Sequence, residues 1–166
     1  MEYQLITSCI PQGMSISAVE RVLTNRGIGI CNIKHYLNTT EEDLHDPSTI
    51  ERIDDGVRML IKHIAAADDM FIQVDSDCDG FTSAAVLINY LNCAFPAYVQ
   101  NHVKWRLHDG KEHGLIPDVI PEGVKLVIAP DSSSNDYDEH EYLKTQRGID
   151  ILVIDHHEAD KISDYA

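Results

Sequence analysis

Three short stretches of this 166-residue chain gather the residue types that bind divalent cations. In DSDCDGFTS, Asp75, Asp77 and Asp79 stand at every second position. While the chain stays extended, alternate side chains point the same way, so at least two of these carboxylates can converge on one cation. Gly80 is expected to permit a sharp turn, and the amides of Thr82 and Ser83 to open the following helix, where an anion such as phosphate is favoured. In DHHEAD, Asp155, His156 and His157 directly follow an apolar run. Imidazole and carboxylate together suit Mn²⁺, Fe²⁺ or Zn²⁺, and a carboxylate-rich site leans towards Mn²⁺ or Mg²⁺. In PDSSSNDYDEHE, Asp131 closes another apolar run, while Asp136, Asp138, Glu139 and Glu141 read as solvated surface acids.

Two other chemistries compete for the first stretch. D-x-D-x-D-G also opens an EF-hand loop, but the twelfth position, a bidentate Glu in that motif, is Val86 here, and a predicted strand precedes it rather than a helix. Calcium is thereby disfavoured. Asp77-Cys78-Asp79-Gly80-Phe81-Thr82 also resembles the strand-end D-x-D-G-T of haloacid-dehalogenase-type phosphatases, whose first Asp is a phosphoryl nucleophile. That reading leaves the other acids and histidines unused.

The elements that must position these residues follow from the hydrophobic period. Met70 to Val74, Val124 to Ala129 and Asp150 to Ile154 read as strands, the last two buried and rich in β-branched residues. They run into Asp75, Asp131 and Asp155 respectively, and open parallel sheets form their sites outside the carboxyl ends of strands. Tyr98 to Val103 is predicted as a further strand, and Ala84 to Leu91 and Tyr137 to Gln146 as helices. A longer helix is predicted to open at Asp46-Pro47, with Ile50, Ile53, Val57, Leu60, Ile61 and Ile64 forming one stripe against a sheet. Upstream, Ser15 or Ser17 caps a helix through Ala18, Val19, Val22 and Leu23 that stops at Gly27, and a short apolar segment, Ile33 to Leu37, follows. The alternation predicts an α/β fold, a mostly parallel sheet flanked by helices with right-handed crossovers, preceded by a small helical arm. The boundary is expected in the polar stretch Asn38 to Asp46, giving an arm over 1–45 and an α/β domain over 46–166.

An apolar fraction of 43% with 25% charged residues is ordinary globular composition and excludes a disordered or fibrous chain. The 13 basic residues against 28 acidic ones leave a net charge of −15, which disfavours non-specific duplex binding and leaves carboxylates in excess. Cys9, Cys31, Cys78 and Cys93 form no CxxC pair and read as reduced packing thiols. The longest apolar runs, such as Val124 to Pro130, fall far short of the roughly 18 residues of a membrane span. The opening MEYQLITSCIPQG has no basic start or long apolar run, so the expectation is a cytoplasmic chain with no membrane partner. Basic residues group in KWRLHDGKEH, where Lys104, Trp105, Arg106, His108, Lys111 and His113 could follow a single strand's phosphates and stack a base. In the bland reading Trp105 packs inward beneath an ordinary wet loop.

Together, DSDCDGFTSAAVL, the strand-end Asp131 and Asp155-His156-His157 resemble motifs I, II and III of the DHH phosphoesterase superfamily, in particular its RecJ-type single-stranded-DNA exonucleases. The likeness continues through VLTNRGI, HYLN, LHDPSTIERIDDGVRMLIKHI and KEHGLIPDVI, and so covers roughly Val22 to Asp160. The resemblance implies a phosphodiesterase acting on single-stranded DNA from the 5′ end, with a water activated by two Mn²⁺ or Mg²⁺ ions per complete site. It implies Asp77 and Asp79 as metal ligands, Asp75 as a ligand or its neighbour, Asp131 as the bridging carboxylate and His156 as a ligand. His157 would meet the second metal or the scissile phosphate, and Asp155, itself counted with the metal-binding residues, would orient the pair. Asp131, His156 and His157 would thus be the catalytic centre, with Thr82, Ser83, Lys104, Arg106, Lys111 and His113 as substrate contacts.

The sequence departs from that pattern in two places. The SSSND loop after Asp131 lacks a nearby Gly, and only nine residues follow His157, where family members continue to another metal-binding Asp and a second domain. The expectation is a chain completed by a C-terminal domain or a partner polypeptide. Three functions follow: an exonuclease domain, a phosphodiesterase or phosphatase for short oligonucleotides or small nucleotides, and a non-catalytic binding module that keeps the fold.

Overall fold

The computed structural model describes residues 17–166; Cys9 and Ser15 lie outside the described residues. The chain divides into two compact units, Met1–Glu51 and Arg52–Ala166.

In the first unit, α1 (Ala18–Asn25) opens on a reciprocal cap. The Ser17 hydroxyl accepts the Glu20 amide at 3.2 Å and the Glu20 carboxylate accepts the Ser17 amide at 2.7 Å. A short α2 (Ile33–Tyr36) buries Ile33. No helix opens at Asp46-Pro47: the Asp46 carboxylate accepts the Ser48 amide at 2.8 Å and closes only a 3₁₀ turn over Pro47–Thr49. Ile50 is left exposed and outside any helical stripe.

The second unit contains α3 (Ile53–Ala66), β1 (Asp69–Val74), α4 (Cys78–Ala94), α5 (Pro96–His102), β2 (Val103–Leu107), β3 (Val124–Pro130), α6 (Tyr137–Arg147) and β4 (Asp150–Ile154). α3 starts late because Arg52 before it holds a left-handed backbone, φ 58°. Its stripe is also rotated from the predicted one. Val57 and Ile61 are exposed, while Met59, Leu60 and Ile64 pack on the core and a Cβ on Gly56 would lie 3.1 Å from Leu152 Cδ1. The strand predicted over Tyr98 to Val103 is helix α5 up to His102, because Pro96 presets its first turn, and β2 begins at Val103.

All four strands are parallel, in the order β2-β1-β3-β4, as α/β alternation predicts. Ile72 of β1 stands opposite Trp105 of β2 and Ile128 of β3, and Ile128 opposite Leu152 of β4. Both faces of the central strands are covered: Phe71, Val127 and Ala129 pack with Leu143 and Ile151, and Met70, Ile72, Leu126 and Ile128 with Ala84 and Leu91. Double coverage explains why β1 and β3 read as continuous apolar runs.

The strand order fixes where a site can form. From β1 the chain steps outward to β2 and then returns past β1 to β3, so the direction of winding reverses between β1 and β3. A crevice opens outside the carboxyl ends of strands at such a reversal, and Asp75 and Asp131 are the residues that follow those two ends. At the opposite end of the sheet, His63 bridges Asp68 (2.8 Å) and Asp150 (2.9 Å), and Asp150 also receives Lys62 (2.7 Å) and Lys144. Burial favours the neutral Asp150 acid, but Lys144, Lys62 and His63 outweigh it and hold the carboxyl well below its ordinary range.

Cys31, Cys78 and Cys93 are exposed rather than packed, Cys78 and Cys93 on the outer side of α4. No helix among the described residues is long and apolar enough to cross a membrane.

Candidate metal centre

At the end of β3, Asp131 extends the pairing with β4 by one step, its amide donating to the Ile154 carbonyl at 2.7 Å. The chain then turns sharply through two left-handed residues, Asp131 (φ 69°) and Ser133 (φ 82°), so the SSSND loop makes without Gly a turn that usually favours it. This turn leaves Asp131 only 6% exposed. Oδ1 lies 3.2 Å from His156 Nε2, and Oδ2 is buried with no hydrogen-bond partner. Burial pushes the carboxyl above its ordinary range; His156 opposes this, while the charges of Asp77 and Asp79 add to it.

The His156 and His157 rings lie 4.5 Å apart, centroid to centroid. One donor atom each from Asp131, His156 and His157 lies within 4.8 Å of the other two, a spacing one ion can bridge. An orphaned buried carboxylate oxygen beside two imidazoles is a donor set suited to a borderline dication. The residues present therefore fit the Mn²⁺-type ion that the sequence suggests.

Asp155 has a different task. Its Oδ1 accepts the His157 amide at 3.1 Å and pairs with His157 Nδ1 at 2.7 Å, while Oδ2 accepts the Ser134 amide at 3.1 Å. Burial opposes its ionisation, but Ser134 and His157 prevail and hold the carboxyl down at about 2. Asp155 in turn raises the pKa of His157 above its ordinary value. With both oxygens engaged, Asp155 orients His157 and pins the loop after β3; it is not brought into the donor cluster.

The three acids after β1 also part company. Asp75 is buried, and its Oδ1 accepts the Ser76 amide (2.7 Å) and pairs with His108 Nδ1 (3.1 Å), while Oδ2 meets His113 Nδ1 (2.7 Å). Burial raises its pKa, but His108, Ser76 and His113 more than offset this. Asp77 caps α4, its Oδ1 accepting the Gly80 amide at 2.9 Å, and Asp79 stands exposed in the first turn. Gly80 serves a close approach rather than a left-handed turn, because its φ is not positive and a Cβ there would meet the Asp75 carbonyl oxygen at 2.7 Å.

Thr82 and Ser83 do not open the helix, which starts at Cys78, so their amides belong to its internal ladder. Their hydroxyls donate to the Cys78 and Gly80 carbonyls at 2.8 and 3.1 Å.

The basic segment is only partly a cationic surface. Lys104 and Trp105 are exposed on edge strand β2, Trp105 by 56%, so the aromatic does not pack inward. Arg106 is engaged by Glu112 through two hydrogen bonds, 2.7 and 3.1 Å, and the Asp109 amide also donates to Glu112 at 2.8 Å. This clasp closes the turn that carries exposed Lys111 and brings His113 to Asp75.

Sequence reading missed the parts that hold this turn in place. His108 is buried, its Nε2 2.7 Å from the Gly114 carbonyl. Asp136, expected to be solvated, accepts the Leu115 amide at 2.8 Å. It packs so tightly that a Cβ on Gly114 (φ 72°) would meet its Oδ2 at 2.2 Å. The His-Gly-Leu run was the available signal for the turn; Asp136 had none.

Comparison with known proteins agrees with this architecture. Residues 69–166 match the DHH family, N-terminal domain. The chain is 39% identical over its whole length to a protein of Bacillus subtilis (strain 168) named as an SPbeta prophage-derived single-strand DNA-specific exonuclease, YorK, and covers 27% of it. It is 30% identical, over 89% of its length, to 26% of the single-stranded-DNA-specific exonuclease RecJ of Haemophilus influenzae. The chain thus spans about a quarter of the length of these relatives. The crystal structure of RecJ in complex with Mn²⁺ from Thermus thermophilus superposes with a TM-score of 0.58 at 19% identity, covering 89% of this chain and 22% of that one. The parallel sheet, the acids at its strand ends, the Asp-His-His run and a family match over more than half the chain lead to one assignment: this chain belongs to the DHH family.

Proposed function

We propose that this chain carries a metal-dependent phosphodiesterase centre that hydrolyses single-stranded DNA from its 5′ end. The observation that carries the reading is the buried, unpartnered Oδ2 of Asp131 at the winding reversal, with His156 and His157 beside it. Asp131, His156 and His157 would hold one dication and, with Asp77 and Asp79, share a second; Asp155 and Asp75 act behind them as orienting carboxylates. Two such dications would supply an activated water and offset the charge on the non-bridging oxygens around the phosphorus that this water attacks.

The chain's own residues supply the rest. The Asp155 hydrogen bond holds Nδ1 of His157 and so turns Nε2 towards the site. The crowding of Asp77 and Asp79 on Asp131 makes the centre receptive to positive charge. Lys104, exposed on edge strand β2, and Lys111, exposed in the turn after it, are the cations of this segment left to meet the strand's phosphates, and Trp105 offers a face for a base.

A second reading, a phosphodiesterase for short oligonucleotides or small nucleotides, draws on one observation. Arg106 is neutralised by Glu112, which shortens the cationic track. One assay separates the two: hydrolysis of 5′-labelled single strands of graded length with Mn²⁺, using this chain, its Asp131→Ala variant and a C-terminally extended form. Exonuclease action from the 5′ end predicts release of the labelled terminal nucleotide from long strands, abolished by Asp131→Ala. Cleavage of dinucleotides alone supports the second reading, and activity indifferent to Asp131→Ala contradicts both.

A further inference from the structure

We infer that His113 is a third imidazole of the metal centre, ligating the second dication through Nε2; the inference rests on the metal-dependent reading above. Composition places His113 in a basic segment, as a contact for phosphate. The structure places it elsewhere. Its Nδ1 lies 2.7 Å from Asp75 Oδ2, and its ring meets the His157 ring edge to face with centroids 6.3 Å apart.

The same device thus occurs twice in one crevice. Asp155 holds His157 by Nδ1 at 2.7 Å, and Asp75 holds His113 by Nδ1 at 2.7 Å. A carboxylate on Nδ1 keeps the proton there and leaves the Nε2 lone pair outward, which is how metal-ligating imidazoles are oriented. A lone pair suits a cation; presented to a phosphate oxygen it would repel.

The support beneath His113 is more elaborate than an exposed surface histidine needs. Its side chain is 64% exposed, yet the carboxylate that holds it is buried and held in turn by His108, whose other nitrogen binds the Gly114 carbonyl. Gly114 adopts the left-handed backbone against which Asp136 packs, and Asp136 anchors the next amide. Every one of these contacts fixes the residue next to His113 or its carboxylate partner.

His113 is not among the donors that lie within 4.8 Å of one another at Asp131, so it would serve the neighbouring ion. Ions of a two-metal site sit about 3.5–4 Å apart, and the 6.3 Å between the His113 and His157 centroids, wider than the 4.5 Å between His156 and His157, suits ligation of neighbouring ions. Asp77 and Asp79, whose charges already act on Asp131, would complete that second position.

The test is calorimetric titration of the intact chain with MnCl₂, comparing wild type, His113→Gln, Lys125→Ala and Asp131→Ala. Thermal melts in chelator report folding, and electron-spin-echo spectroscopy counts coordinated imidazole nitrogens. The inference predicts that His113→Gln weakens one Mn²⁺-binding event at least tenfold and removes one ¹⁴N coupling. Its melt in chelator stays that of wild type, and Lys125→Ala, on the exposed early part of β3, changes nothing. If Asp131→Ala abolishes binding while His113→Gln binds Mn²⁺ as wild type does, the metal reading survives and His113 is not a ligand. If Asp131→Ala also binds normally, the centre itself is wrong and the inference falls with it. Normal Mn²⁺ binding by His113→Gln with weakened binding of a phosphorothioate strand would make His113 a phosphate contact and overturn the proposal.

Discussion

Gly80 and Asp75 are in direct backbone contact: a Cβ on Gly80 would lie 2.6 Å from Asp75 Cβ and 2.9 Å from its carbonyl carbon. The first turn of α4 therefore closes directly onto the end of β1, which carries Asp77 and Asp79 to where their charges act on the Asp131 carboxylate. Gly80→Ala must push the two apart. Overpacking of this kind costs about 1–3 kcal/mol. Urea unfolding should show that loss, with weaker Mn²⁺ binding; a Gly80→Ala protein of wild-type stability and Mn²⁺ affinity would contradict the account.

Asp131→Asn should have opposite effects with and without metal. A carboxyl whose pKa is raised in the folded chain is penalised when ionised at neutral pH, so removing its charge relieves the fold. Asn also tolerates the left-handed backbone required there. In chelator the variant should melt above wild type; with Mn²⁺, wild type should gain stability and the variant should not. Equal Mn²⁺ stabilisation of both proteins would count against Asp131 as a ligand.

Asp150 provides the pH test. Its folded pKa is depressed, so its contribution is present in full above the unfolded value of about 3.9 and is lost as pH falls through that value towards the folded one. Asp150→Asn should cost about 2 kcal/mol at pH 7, discounted from the 3–5 of fully buried pairs because Lys62 and Lys144 are exposed. It should also flatten the decline in stability below about pH 4. Denaturant midpoints from pH 7 down to pH 3 check both; parallel acid limbs for the two proteins would refute this role of Asp150.

Lys104→Ala combined with Lys111→Ala should lower the salt dependence of single-strand binding. Each phosphate contact on a single strand contributes about 0.7 to the slope of log K against log salt, so the pair should remove about 1.4. Fluorescence anisotropy at graded KCl measures it, and an unchanged slope would mean that the phosphates lie elsewhere.

The strands and their terminal acids were legible in the sequence because buried parallel strands are continuous apolar runs, and Asp75, Asp131 and Asp155 break those runs abruptly. Local competition between elements was not legible. Pro47 reads as a helix start, yet the Asp46 side chain satisfies Ser48 and stops at one turn; Pro96, just before a stretch read as strand, starts a helix through it. Division of labour among acids was hidden for the same reason. Asp77 as a cap and Asp136 as an amide anchor each depend on an amide that folding brings near, and for Asp136 that amide lies 21 residues away; the orienting role of Asp155 comes only with the family resemblance. The Asp75 support of His113 likewise joins residues from different strand ends, whereas Asp155 and His157 stand two residues apart after the same strand.

The central claim, that the Asp131–His156–His157 cluster holds a dication at the winding reversal, is tested most directly by anomalous scattering. Crystals of the chain grown with MnCl₂ and measured at the manganese edge should show a peak coordinated by Asp131 and His156. A Mn²⁺-saturated crystal with no anomalous peak at those side chains would contradict it.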